Sequence, residues 1–127
     1  MRGFLAVFLL ILPLWSLDWM HNWDAAVSAS KKSGLPILVV MMRPDCPYCR
    51  KLSAETLSNT AIESAVKNGF VPLYLDTYEH GAEIAKSGLT AQGVPASFVI
   101  DPAGNLKGRL MGYQPPMVYM GFLQQHR

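Results

Sequence analysis

The chain has 127 residues, enough for one domain and too few for two. Half of them are hydrophobic, 16% are charged, and 11 basic against 9 acidic residues leave a formal net charge of +2. The basic residues are scattered, which excludes a dedicated nucleic-acid binder, and two cysteines exclude a disulfide-stapled miniprotein and a four-cysteine zinc site.

The first feature in chain order is an address. Met1-Arg2 supplies a positive charge, and the apolar run FLAVFLLILPLWSL follows over residues 4–17. A run of about a dozen residues has the length of a signal-peptide core, whereas a membrane-spanning helix needs about 20. We therefore expect residues 1–17 to be a signal peptide, cut after the small Ser16, although Leu14 is bulky for the position three before the cut. The alternative is an uncleaved anchor, which would have to extend through Trp19 and Met20 across Asp18 at a cost. No cysteine lies near the cut to carry a lipid. Residues 18–127 are then expected to form one domain that works outside the cytoplasm, in the periplasm or another extracytoplasmic space, where disulfides persist.

That domain alternates helical and strand patterns. Asn22 suits a helix N-cap, and Trp23, Ala26, Val27 and Ser30 share one face of a helix over residues 23–32 that Gly34 ends. The unbroken apolar run ILVVMM over residues 37–42 reads as a strand buried on both faces. A helix opens at Pro47, where the missing N–H of proline costs nothing. A second short helix over residues 60–67 has Thr60 as its expected cap, with Glu63 completing a capping box. Residues 70–76 read as a strand in which Pro72 suggests an edge or a start. A helix over residues 80–87 closes at Gly88. A strand over 96–101, a turn over 102–105 and a partner strand over 106–111 make a hairpin, and a last helix runs over residues 116–125.

The chemistry sits at Cys46-Pro47-Tyr48-Cys49, between the first strand and the helix that follows it. Cysteines three apart on a helical turn lie close enough to form a small disulfide ring. The first stands at the helix N-terminus, where free N–H groups and the positive dipole end stabilise a thiolate. Arg43, Arg50 and Lys51 add positive charge, while Asp45 opposes them. Cys46 is the natural attacker and Cys49 the natural resolver. A metal site would need two more ligands, and His21, His80 and His126 have no paired spacing. An inert structural disulfide would close too small a loop to stabilise much.

With that pair in place, the chain resembles the thioredoxin superfamily over residues 22–125. The segment Gly93-Val94-Pro95 precedes a strand as the family's cis-proline segment does. Asp101-Pro102-Ala103-Gly104-Asn105 resembles the family's hairpin turn, Gly112 follows the final strand, and a helix closes the domain. The stretch from Trp23 to Met42 is similar to the exported branch of that family. The resemblance implies an α/β thioredoxin fold, with a central mixed sheet between two layers of helices. It implies Cys46 as nucleophile and Cys49 as resolving cysteine, with Pro47 and Tyr48 setting the reduction potential. Pro95 would be cis, against the plainer reading of a strand-start proline. The Val94 backbone would then bind an extended substrate.

Two positions depart from the family pattern. Val40 stands where thioredoxins bury an acid, six residues before the first cysteine, and Asp45 stands where they carry tryptophan. Cys49 would then pass its proton to water or another group. The dithiol is itself the redox group, so no cofactor or metal is expected. The expected partners are cysteine-containing proteins and a membrane thiol electron donor, with the chain acting as a monomer. Three functions follow from these features: a reductase of partner disulfides, a disulfide oxidase or isomerase for secreted proteins, or a binding module without turnover.

Overall fold

The computed structural model describes residues 17–127, so the expected leader, Leu17 apart, lies outside the described residues. Helix α1 (Trp23–Ser33) begins where the Asn22 side chain accepts from the Ala25 amide at 2.8 Å. It ends at Gly34, whose φ of 75° is open to glycine and costly for other residues. Strand β1 (Ile37–Met42) is buried along its whole length, as a run without polar residues requires.

Beyond β1 come α2 (Pro47–Lys51), a π-helical turn (Leu52–Leu57) and α3 (Thr60–Gly69). Then follow β2 (Val71–Asp76), α4 (Gly81–Ser87), β3 (Ala96–Ile100), β4 (Leu106–Met111) and α5 (Pro116–His126). One expected cap is corrected. Asn59, not Thr60, caps α3, because its side-chain oxygen reaches the amides of Ala61 and Ile62 at 3.0 and 3.1 Å. Asparagine is the stronger cap, and extended backbone at Asn59 leaves Thr60 as the first helical residue.

The sheet order is β2-β1-β3-β4. β1 runs parallel to β2 and antiparallel to β3, and β3 pairs antiparallel with β4. β2 is an outer strand, as Pro72 suggested. The Val71 amide bonds inward to Pro36 and the Tyr74 amide bonds outward to Met20. By that alternation the nitrogen of Pro72 falls on the outward side, where no β1 carbonyl waits for a proton.

Alternation along β1 divides the core. Leu38, Val40 and Met42 face a cluster completed by Leu52, Ile62, Val66, Tyr119 and Leu123, from α3, α5 and the π-helical turn. Ile37, Val39 and Met41 face the opposite cluster, where Ala26 of α1 is buried and Ile84 of α4 packs. Each fully buried valine or leucine contributes about 1.5–3 kcal/mol, so helices on both faces are what make this strand stable. The result is the three-layer mixed α/β arrangement of the thioredoxin fold.

Candidate active site

The cysteine pair stands where β1 hands over to α2. Cys46 occupies the N-cap of α2 with extended backbone, and Pro47 begins the helix. The two cysteines form a disulfide with Cα atoms 5.1 Å apart. The Cys49 amide donates to Cys46 Sγ at 3.1 Å, so the first turn of the helix already solvates that sulfur. Cys46 keeps 6% of its surface exposed and Cys49 2%, which leaves Cys46 as the more exposed residue of the two. Tyr48, between them, is exposed.

Opposite the pair lies the segment before β3. The Val94–Pro95 peptide bond is cis. Cys46 Sγ lies 3.7 Å from the Val94 carbonyl oxygen. The oxidised sulfur has no proton to donate, so this is a packing contact in the disulfide form. The Gly112 amide donates to the Pro95 carbonyl at 2.8 Å and ties the end of β4 to the same place. The expected site residues Asp45, Cys46, Pro47, Tyr48, Cys49, Val94 and Pro95 thus meet at the C-terminal end of β1 and the start of β3.

The structure adds residues that no local pattern marks. Tyr78, from the turn after β2, donates its hydroxyl proton to Asp45 Oδ2 at 2.9 Å, and Arg43 Nε donates to Asp45 Oδ1 at 3.1 Å. The bond to Asp45 is the main reason the Tyr78 phenol sits above its ordinary value. On the far side of the helix, Lys51 Nζ lies 4.5 Å from the centre of the Tyr113 ring, and Tyr113 donates to Glu55 at 2.9 Å. A sequence reader has no signal for Tyr78, which lies 33 residues from Asp45.

Val40 is fully buried and aligns with Ser97 on β3 and Tyr74 on β2. A buried hydroxyl pair includes Val40's register partner: Ser97 Oγ and Tyr119 OH lie 2.7 Å apart. Burial pushes the Tyr119 phenol far above its usual range, so it stays protonated and cannot take a proton from Cys49. A cavity of about 340 Å³ lies beside the resolving cysteine, lined by Met42, Cys49, Arg50, Ser53 and Tyr74 among others. A second, of about 470 Å³, lies beside Val94 and is lined by Met41, Ile84, Leu89 and Arg43.

The histidines are partnered within the fold. His21 Nδ1 donates to the Tyr74 carbonyl at 3.0 Å, and His80 Nδ1 accepts from the Asp76 amide at 2.8 Å. The two rings stack at 5.2 Å, a contact that sequence spacing hides. His126 packs edge-on against Phe122. Among the described residues, no three His, Cys, Asp or Glu side chains are placed to hold a metal, and no helix is long and apolar enough to cross a membrane.

The comparisons agree with this geometry. At 26% identity over 107 residues, the chain is similar to mouse Anterior gradient protein 3, covering 78% of this chain. It spans 63% of the length of that curated relative. In fold it is similar to the DsbH oxidoreductase, with TM-score 0.72 and 15% identity over 95% of this chain and 92% of the other. It is also similar to the oxidised C-terminal domain of Neisseria meningitidis DsbD, with TM-score 0.63 and 24% identity over 85% and 99% of the two chains. A family model described as a thioredoxin-like domain matches residues 23–127, from the first turn of α1 past the end of α5. A cysteine pair at the head of α2, opposite a proline-led strand, is therefore not an isolated motif, and the chain belongs to the thioredoxin-like domain family.

Proposed function

We propose that this chain is an exported reductase of disulfides in partner proteins. Cys46 thiolate attacks one sulfur of the partner's disulfide, forming a mixed disulfide and releasing the other partner sulfur as a thiol. Cys49 then loses its proton and attacks Cys46 Sγ, releasing the second partner thiol and leaving the Cys46–Cys49 disulfide. Two electrons and two protons pass to the partner, and a thiol electron donor at the membrane restores the dithiol. No other redox group is needed.

The observation that carries this reading is the position of Cys46 at the N-cap of α2, its sulfur bonded to the Cys49 amide and facing the Val94 backbone. Bonds from backbone amides favour the thiolate, and a backbone segment beside it suits an extended partner strand. The cavity beside Val94 supplies apolar walls for the partner's side chains. The cavity beside Cys49 holds room for water, the proton acceptor that the apolar Val40 does not provide.

The reducing direction rests on the compactness of the segment between β2 and β3. It carries only the seven-residue α4 and no helical insertion of the kind dedicated oxidases use. Export rests on the apolar run over residues 4–17.

The test is the reduction potential of the pair, measured by equilibration in glutathione or dithiothreitol buffers with the thiol state read by mass. A value near about −270 mV or below supports the reductase. A value near about −120 mV makes the disulfide a strong oxidant and replaces this reading with that of an oxidase.

A further inference from the structure

The carboxylate immediately before the attacking cysteine is held at both oxygens. Arg43 Nε donates to Asp45 Oδ1 at 3.1 Å, and the Tyr78 hydroxyl donates to Asp45 Oδ2 at 2.9 Å. The Arg43 guanidinium lies 6.0 Å from the centre of the Tyr78 ring, so the three side chains close on one another. The cluster is exposed: the side chains of Arg43 and Asp45 keep 41% and 63% of their surface, and Tyr78 keeps 63%. Ion pairs that wet contribute little to folding stability, so the arrangement is not explained as a structural brace.

The fold nonetheless builds it with care. Asp76 ends β2 in register with Met42 at the end of β1. Asp76 Oδ1 accepts from the amides of Tyr78 and Glu79 at 2.7 and 3.0 Å, which shapes the turn that presents Tyr78. The Thr77 amide donates to the Met42 carbonyl at 2.9 Å and fixes that turn against the loop leading to Asp45.

A free carboxylate beside a thiol disfavours the thiolate, because like charges repel. A carboxylate paired with a guanidinium and bonded to a phenol presents a nearly neutral group at a defined place. We propose that Tyr78 and Arg43 are positioning residues that hold the Asp45 carboxylate so that Cys46 forms its thiolate readily at neutral pH. This rests on the reading of Cys46 as the attacker.

The thiolate is the attacking form, and whatever stabilises it also stabilises the reduced protein. The same contact therefore acts on the rate of attack and on the redox equilibrium. Other charged groups around Cys46 come from α2 and the segments packed on it. Arg50 bonds the Pro44 carbonyl at 3.0 Å, Lys51 lies over Tyr113, Glu55 accepts from Tyr113, and Asp76 and His80 stand behind the Tyr78 turn. None of these changes in a variant that removes only the Tyr78 hydroxyl.

The test uses the full chain with Cys49→Ser, leaving Cys46 as the sole thiol, and follows its alkylation by iodoacetamide from pH 4 to 9. Tyr78→Phe is expected to raise the midpoint of the rate profile by roughly half a pH unit, slowing alkylation below it about threefold. Asp45→Asn is expected to lower the midpoint by a similar amount. In the Asp45→Asn background, Tyr78→Phe is expected to have no effect, a result that a purely structural role of Tyr78 would not give. A midpoint unmoved by Tyr78→Phe overturns the proposal, as does an equal shift with and without Asp45. Thermal melts of each variant check the fold. Should Tyr78→Phe unfold the turn, Arg43→Lys, which keeps the charge but loses the Nε bond to Asp45 Oδ1, is expected to raise the midpoint as well, an unmoved midpoint there overturning the proposal. A chain whose Cys46 reacts but whose midpoint ignores Tyr78 leaves the oxidoreductase reading standing. A chain that exchanges with no disulfide at any pH removes that reading itself.

Discussion

Ser97 on β3 and Tyr119 on α5 share a hydrogen bond of 2.7 Å with both residues buried, on the layer that also buries Val40, Cys46 and Cys49. It joins the central sheet to the closing helix by a polar contact inside an apolar cluster. Its worth lies less in the bond than in what either hydroxyl would suffer without the other.

Tyr119→Phe is expected to destabilise the domain by about 1–3 kcal/mol, since the Ser97 hydroxyl is then buried without a partner. Ser97→Ala leaves the phenol in the same position and should cost a similar amount. The double variant should lose less than the sum of the two. Urea denaturation of the three variants checks this, and strictly additive losses would count against the pairing.

Tyr119 also gives an alkaline signature. Its phenol is raised above the ordinary value of 10.0 by burial, partly offset by the bond to Ser97. Below pH 10 it is neutral in both states. Above that, the unfolded chain ionises while the folded chain holds its proton, so the folded state binds more protons and stability falls as pH rises. This one group contributes a slope of about 1.4 kcal/mol per pH unit. Denaturation midpoints followed from pH 9 to 11 should fall less steeply in Tyr119→Phe than in the parent chain.

The hairpin between β3 and β4 carries the opposite dependence. The Asp101 carboxyl is held below its ordinary value, first by the Asn105 amide at 2.8 Å and also by the Asn105 side chain at 3.3 Å. A lowered carboxyl contributes stability that is present above about pH 4 and is lost as pH falls through its folded value. Acid titration of stability should therefore be flatter in Asp101→Asn. An unchanged acid limb would mean that the turn does not depend on the ionised group.

The cysteines separate by role. Cys46→Ser should abolish turnover of a model disulfide, because no attacking sulfur remains. Cys49→Ser should instead accumulate a mixed disulfide with the partner, visible as an added mass that dithiothreitol removes. Turnover that survives Cys46→Ser would reassign the attack to Cys49.

Much of this architecture is legible in the sequence. An unbroken apolar run of six residues, short for a helix and led in by Gly34 and Pro36, fits a strand covered on both faces, and residues 37–42 are that strand. Asn22, Gly34 and Gly88 mark helix ends because caps are local, settled by a side chain and the backbone two or three residues away. The α3 cap lies one residue before the expected Thr60 because Asn59 and Thr60 are both good caps, and the choice between them depends on which backbone turns helical first.

The sequence by itself determined the chemistry: two thiols one helical turn apart, at a strand-to-helix junction, in a chain whose patterning builds a covered sheet. Only the tertiary structure decided which groups surround those thiols. Tyr78 meets Asp45 across 33 positions, Tyr119 meets Ser97 across 22, and His21 stacks on His80 although α1, β1, α2, α3 and β2 lie between them in the chain. Such contacts follow from strand order and register, where a shift of one residue turns every side chain to the other face, and neither composition nor local spacing carries that information.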